Sequence, residues 1–279
     1  MLSTLLPDHF TLQSHRGARG LLPENTIPAF IQSLACKVHI LEFDLVVTGD
    51  GQLLVSHEAW FSALLSTHFY GFAIEPHEEQ QHNIYRMTYN QIKRYDCGKR
   101  RHPQFIHQKT MAASKPLWTD MVAAVEQYAA QTDLPPIIYN AELKTEGEAA
   151  DGLFQPAPHE FAQLAYDTAC ALQIDQRCLI QSFDVRLVRA MREVAPDMPL
   201  SLLVDNDDGF EKNIYRLGFV PDFYAPHYAL ITPELVYKAH ANGMKLMAWT
   251  VNNLSTIEQL RNMGVDSVIT DYPNLNLLL

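Results

Sequence analysis

Short β-branched or apolar runs alternate along this chain with longer stretches of helical periodicity, a pattern that predicts repeated strand–helix units and a parallel sheet. Eight runs read as strands: Phe10–Gly17, Ile40–Thr48, Pro136–Lys144, Cys178–Phe183, Pro199–Asn206, Phe223–His227, Lys245–Val251 and Ser267–Asp271. Between them the amphipathic stretches Ile27–Lys37, Thr119–Gln131, Glu160–Gln173, Val185–Val194, Glu211–Leu217, Pro233–Asn242 and Thr256–Met263 read as helices. Asp120, Thr232 and Ser255 stand near helix starts as cap signals, and Asn25 or Thr26 can cap the first helix. Gly218, Gly243 and Gly264 fall just past helix ends, where a left-handed position favours glycine.

Eight such units can close into a barrel or form an open doubly wound sheet. The open sheet usually carries a Gly-rich phosphate loop after its first strand, and neither G-x-G-x-x-G nor G-x-x-x-x-G-K-[ST] occurs here. The expected fold is therefore α/β, a (β/α)8 barrel formed as a single domain over residues 1–279. Residues 58–115 break the repeat: they are rich in His, Gln, Tyr, Arg and Pro, with one short helix around Tyr89–Tyr95 introduced by Thr88. A structureless loop of this length is uncommon inside a domain. The segment reads as an inserted cap after the second strand and its short return strand Gln52–His57, overhanging the carboxyl end of the barrel.

Composition narrows the function. With 47% hydrophobic and 19% charged residues, a packed core is expected rather than disorder. A formal net charge of -11 argues against nucleic acid, whose binding rests on Lys and Arg displacing counterions. No stretch approaches membrane-spanning length, so stable membrane insertion is not expected. Met1–Phe10 is a poor signal peptide, and Cys36, Cys97, Cys170 and Cys178 form no C-x-x-C pair. Reduced thiols in a cytoplasmic protein are the expectation, with a secreted or periplasmic protein lacking its leader as the alternative.

Residues i and i+2 of a strand face one side, so Glu42 and Asp44 project together while Leu41, Phe43 and Leu45 face the other way. Glu142 and Lys144 repeat this spacing at the end of the third strand. Carboxylates converging from neighbouring strand ends suit one hard divalent cation, Mg2+ or Ca2+, whereas each pair alone could be a solvated strand terminus. His15 and Arg16 end the first strand, and His57 ends the return strand. Two histidines beside one metal can divide acid and base duties, since imidazole titrates near neutrality. The other histidines, His68, His77, His82 and His107 among them, read as surface or core, and Cys170 and Cys178 as core.

His15-Arg16-Gly17 with Pro23-Glu24-Asn25-Thr26, Glu42-x-Asp44, His57, Glu142-Leu143-Lys144, Gln181-Ser182-Phe183, Trp249-Thr250-Val251-Asn252 and Thr270-Asp271-Tyr272-Pro273 together resemble the ordered motifs of the glycerophosphodiester phosphodiesterase family. The stretch between Gly17 and Pro23 is unremarkable beyond Gly20. The resemblance implies that Glu42, Asp44 and Glu142 ligate the metal, that Arg16 and Lys144 bind phosphate, and that His15 and His57 are the acid and base. It also implies a small-molecule glycerophosphodiester as substrate, cut to sn-glycerol 3-phosphate and an alcohol. Trp249 at the end of the seventh strand can pack on glycerol carbons and leave its N–H available. Phe183, Ser182 and Tyr224 are candidates for lining the substrate.

Two other functions fit parts of this pattern. A lysophospholipase D or sphingomyelinase D-like enzyme would act on a lipid, for which Trp60, Phe61, Leu64, Leu65, Phe69, Tyr70 and Phe72 supply apolar character in the insertion. A noncatalytic binding protein on the same barrel would be expected to lack a histidine or a ligand carboxylate, and all are present.

Overall fold

Strands form where the apolar runs stand, and each is shorter than its run, with His15, Arg16, Lys144 and Trp249 among the residues past strand ends that line the site. The computed structural model describes residues 5–278, so the expectation about Met1–Phe10 falls partly outside it. In order the elements are β1 (Thr11–Ser14), α1 (Ile27–Ala35), β2 (Ile40–Val47), β3 (Leu53–Val55), α2 (Tyr89–Ile92), α3 (Trp118–Thr132), β4 (Ile138–Leu143), α4 (Pro158–Ala171), β5 (Cys178–Ser182), α5 (Val185–Val194), β6 (Leu200–Val204), α6 (Phe210–Leu217), β7 (Phe223–Pro226), α7 (Pro233–Ala241), β8 (Lys245–Ala248), α8 (Leu254–Met263) and β9 (Ser267–Thr270). The sheet runs β1-β9-β8-β7-β6-β5-β4-β2, and a β1–β2 pairing closes it. All these pairings are parallel; only the return strand β3 lies antiparallel, on β2. The molecule is a closed (β/α)8, TIM-type barrel, as the alternation of runs predicts.

The period of two along β2 sorts its side chains. Leu41, Phe43 and Leu45 enter the apolar layer between sheet and helices, where Phe43 packs on Phe30, Trp118 and Tyr139. Ile40 enters the barrel interior with Leu6, Ile138, Leu179, Leu203, Phe223 and Met247. Its in-phase neighbours Glu42 and Asp44 lie further along the same face, toward the carboxyl end. At the amino end Lys245 Nζ donates to the carbonyls of Leu6 (2.8 Å) and Pro7 (3.1 Å), fixing the segment that carries Leu6.

The insertion builds a small core, in which Phe61 stacks on Tyr95 at 3.9 Å with Ile84 and Ile92 around them, and Val46, Leu54 and Leu117 join from outside it. Its helix α2 covers only Tyr89–Ile92, shorter than expected, and begins where Thr88 N–H donates to Gln91 Oε1 at 2.9 Å. Residues 105–113 dock on the loop after β1: Gln108 Nε2 donates to the carbonyls of Arg19 (2.8 Å) and Leu22 (3.1 Å), and Lys109 N–H to Leu21 (2.9 Å).

Helix starts agree less well with the sequence than helix bodies do. Thr232 caps α7 by accepting from Leu235 N–H (3.2 Å). Asp120 lies inside the first turn of α3, whose N-cap is Leu117, and Asn253 rather than Ser255 caps α8. Thr26 is the N-cap of α1, but its hydroxyl donates to the Pro23 carbonyl, and Asn25 turns to the site instead. Gly218 and Gly264 are C-caps with φ of 83° and 95°, and Gly243 follows the C-cap of α7 with φ 77°.

Candidate active site

Immediately past β1 the backbone takes two left-handed residues, Arg16 (φ 51°) and Gly17 (φ 77°). Position 17 has to be glycine, since an added Cβ would stand 2.8 Å from the Ala29 backbone. The turn points the Arg16 N–H at Glu42 Oε2 (3.0 Å) and its guanidinium at Glu24 (Nη1, 2.8 Å) and Asp44 (Nε, 3.1 Å). Asn25, also left-handed (φ 55°), donates to Asp44 Oδ2 at 2.8 Å. Strain of this kind persists where the surroundings fix it, and here two such residues converge on one carboxylate.

Parallel register sets Asp44 beside Glu142, with Glu42 one pleat below. Glu42, Asp44 and Glu142 are all buried, and each offers an oxygen within 4.8 Å of the others. Burial, reinforced by the charges of Asp44 and Glu142, pushes the Glu42 carboxyl well above the usual range. Burial opposes ionisation of Asp44 too, but Arg16, His57 and Lys144 outweigh it and hold that carboxyl low. Asp44 Oδ1 is buried without a hydrogen-bond partner, its nearest cation being Lys144 Nζ at 3.9 Å. An all-oxygen donor set with an orphaned carboxylate oxygen and mutual repulsion fits a hard divalent cation. Lys144 Nζ itself donates to Glu142 at 2.7 Å.

Both expected histidines line the same cavity as this group, each with Nδ1 against a carboxylate and Nε2 without one. His15 Nδ1 lies 2.6 Å from Asp271 Oδ1, and Asn252 Nδ2 donates to the other Asp271 oxygen at 2.6 Å. Burial, then the Arg16 charge, lowers the His15 pKa, while Asp271 works in the opposite sense. His57 Nδ1 lies 2.8 Å from Glu58 Oε1. Its turn is tied to the sheet by Ser56 N–H donating to Asp44 O (3.0 Å), and Lys115 Nζ donates to Ser56 Oγ beneath it (2.7 Å).

One cavity of about 280 Å3 gathers these groups. His15, Arg16, Glu42, His57, Glu142, Lys144, Phe183 and Trp249 all line it, with Arg19 and Gln181 in addition. Ser182 does not: it is buried, and its hydroxyl donates to the Leu143 carbonyl (2.9 Å), because the alternation that turns Gln181 inward toward Glu42 turns Ser182 outward. Tyr224 likewise lies in the outer layer, where its hydroxyl accepts from Asn213. The Trp249 N–H is not available, since it donates to the Ala225 carbonyl at 2.8 Å. Cys170 is exposed rather than core. Among the described residues none of 58–115 lines the cavity, and the insertion docks on the loop after β1 through Gln108 and Lys109. Asp271, Asn252, Glu24 and Arg19 went without a role in the sequence, although the strand-end position of Asp271 was a signal. His102 also has a partner at the site, Arg19 Nη2 at 3.3 Å.

The family match puts the chain among the phosphoric diester hydrolases. It belongs to the glycerophosphoryl diester phosphodiesterase family, whose sequence profile matches residues 15–275. A glycerophosphodiester phosphodiesterase of Bacillus altitudinis is 25% identical over 265 residues, covering 94% of each chain. A solved family structure from Silicibacter pomeroyi DSS-3 is 28% identical with a TM-score of 0.85, covering 99% of this chain and 95% of that one. An Oleispira antarctica phosphodiesterase, solved with the product sn-glycerol-3-phosphate, shares the fold at 20% identity and a TM-score of 0.73, covering 99% and 97%.

Proposed function

We propose that this protein hydrolyses glycerophosphodiesters to sn-glycerol 3-phosphate and an alcohol, with His15 and His57 as the acid–base pair. The observation that carries the reading is the single cavity in which both imidazoles and the cations Arg16 and Lys144 meet the buried acids. Glu42, Asp44 and Glu142 would hold one divalent cation, Mg2+ or Ca2+. When bound, such an ion stabilises charge growing on the nonbridging phosphate oxygens.

Arg16 and Lys144 bind the phosphate, and Trp249 and Phe183 offer an apolar wall to the glycerol carbons. The substrate's own glycerol hydroxyl attacks phosphorus; one histidine takes its proton as the bond to the alcohol oxygen breaks, and the other protonates that oxygen. Water then opens the cyclic phosphate with the proton roles reversed. The nucleophile is already tethered, which removes most of the orientation cost. His15→Ala and His57→Ala should each slow release of glycerol 3-phosphate by on the order of 10²–10⁴-fold with unchanged circular dichroism. Near-normal turnover by either folded variant would overturn the assignment.

A lysophospholipase D or sphingomyelinase D-like reaction on a lipid is the second reading, favoured by the exposed side chains of Leu64, Tyr70 and Phe72 on the insertion. Comparing a glycerophosphodiester with its acylated counterpart separates the two.

A further inference from the structure

Resting on that reading, we infer that Arg19 selects the alcohol half of the substrate, favouring a polyol or anionic alcohol and disfavouring one that carries an ammonium group. Arg19 lines the cavity at the β1 end, and the insertion holds it there. Its guanidinium lies 5.1 Å from the centre of the Phe105 ring, Nη2 meets His102 Nε2 at 3.3 Å, and its carbonyl accepts from Gln108.

The carboxylate neighbours of Arg19 leave one of its nitrogens without a close hydrogen bond. Glu24 serves two guanidiniums, giving Oε1 to Arg16 and Oε2 to Arg19 Nε (2.5 Å). Burial opposes ionisation of Glu24, yet Arg16 and Arg19 hold its carboxyl far below the ordinary range. The nearest acid to Arg19 Nη1 is Asp271 Oδ1, 3.7 Å away and already engaged by His15. The Nη1 hydrogens therefore remain for a ligand oxygen.

Apart from the Trp249 face, which Phe183 meets edge-on at 5.4 Å, the rest of the cavity offers an ammonium group no free seat. Among the described residues its lining cations are Arg16, Arg19 and Lys144, and its only lining carboxylates, Glu42 and Glu142, belong to the acid group. Phe183, which follows β5, lies three strands around the barrel from β1, but Lys144 Nζ already stands 5.9 Å from its ring centre. An aromatic face occupied by a cation is a poor seat for a second one. Glycerol carbons thus suit the Phe183 and Trp249 side. The alcohol then meets Arg19, which donates to hydroxyl or anionic oxygens and repels an ammonium.

The test compares kcat/KM for glycerophosphoglycerol and glycerophosphoinositol with that for glycerophosphocholine, at saturating Mg2+ or Ca2+. The native protein should favour the first two, Arg19→Gln should reduce that ratio about tenfold, and Arg19→Lys should keep most of it. A native preference for the choline ester, or an equal loss on all three substrates in Arg19→Gln, would overturn the inference; equal loss would mean that Arg19 serves only to hold Glu24. Should Arg19→Gln fail to fold, His102→Ala should shrink the ratio in the same direction, and an unchanged ratio there is contrary. Failure of the native protein to cleave any of the diesters would instead sink the underlying reading, and this inference with it.

Discussion

His15 receives its orientation from a carboxylate 256 residues away in the chain, through the 2.6 Å contact with Asp271. Asp271 is itself held by Asn252, so rotation of the imidazole would break a chain of charge-assisted hydrogen bonds. Asp271→Asn should leave KM nearly unchanged and lower kcat on the order of 10²–10⁴-fold, because the amide can turn an N–H toward Nδ1 and impose the wrong tautomer. The same variant has a pH signature. Burial and Arg16 already disfavour the imidazolium, and Asp271 is the group that favours it, so its neutralisation must lower the His15 pKa further. An NMR titration should place the native midpoint below the ordinary value of about 6.5 and the Asp271→Asn midpoint lower still. A midpoint that rises in the variant would contradict the assigned pairing.

At the scale of the element, β2 shows how one strand serves stability and chemistry at once. Phe43, fully buried against Phe30, Trp118 and Tyr139, anchors the outer face from between Glu42 and Asp44. Phe43→Ala should cost about 3–5 kcal/mol by urea denaturation, and a cost below about 1 kcal/mol would mean that the layer repacks freely. The sequence made this strand legible, since Ile40-Leu41-Glu42-Phe43-Asp44-Leu45 admits one phase only. Apolar alternation likewise revealed the barrel and brought Glu42, Asp44 and Glu142 to one end of it. The same phase rule excludes Ser182 from the cavity once Gln181 is placed inward. Helix starts were less legible, because several polar residues near α8 could cap it and only backbone geometry chooses Asn253. Least legible was Arg19: its contacts with His102 and Phe105 join loops more than 80 residues apart, and no periodicity encodes them.

Across the whole molecule, a chain of net charge -11 presents a cavity wall carrying Arg16, Arg19 and Lys144. Local cations inside a net anionic protein can concentrate an anionic ester where the overall field would not. The insertion adds to this by fixing Arg19 from outside, which links a segment with a small core to the chemistry of the barrel. The most direct trial of the account is phosphorus NMR of glycerophosphoglycerol incubated with the protein, first after chelator treatment and then after returning Mg2+ or Ca2+. Glycerol 3-phosphate should accumulate only when the ion is returned. Undiminished turnover in chelator, or release of glycerol with no phosphomonoester signal of glycerol 3-phosphate, would contradict it.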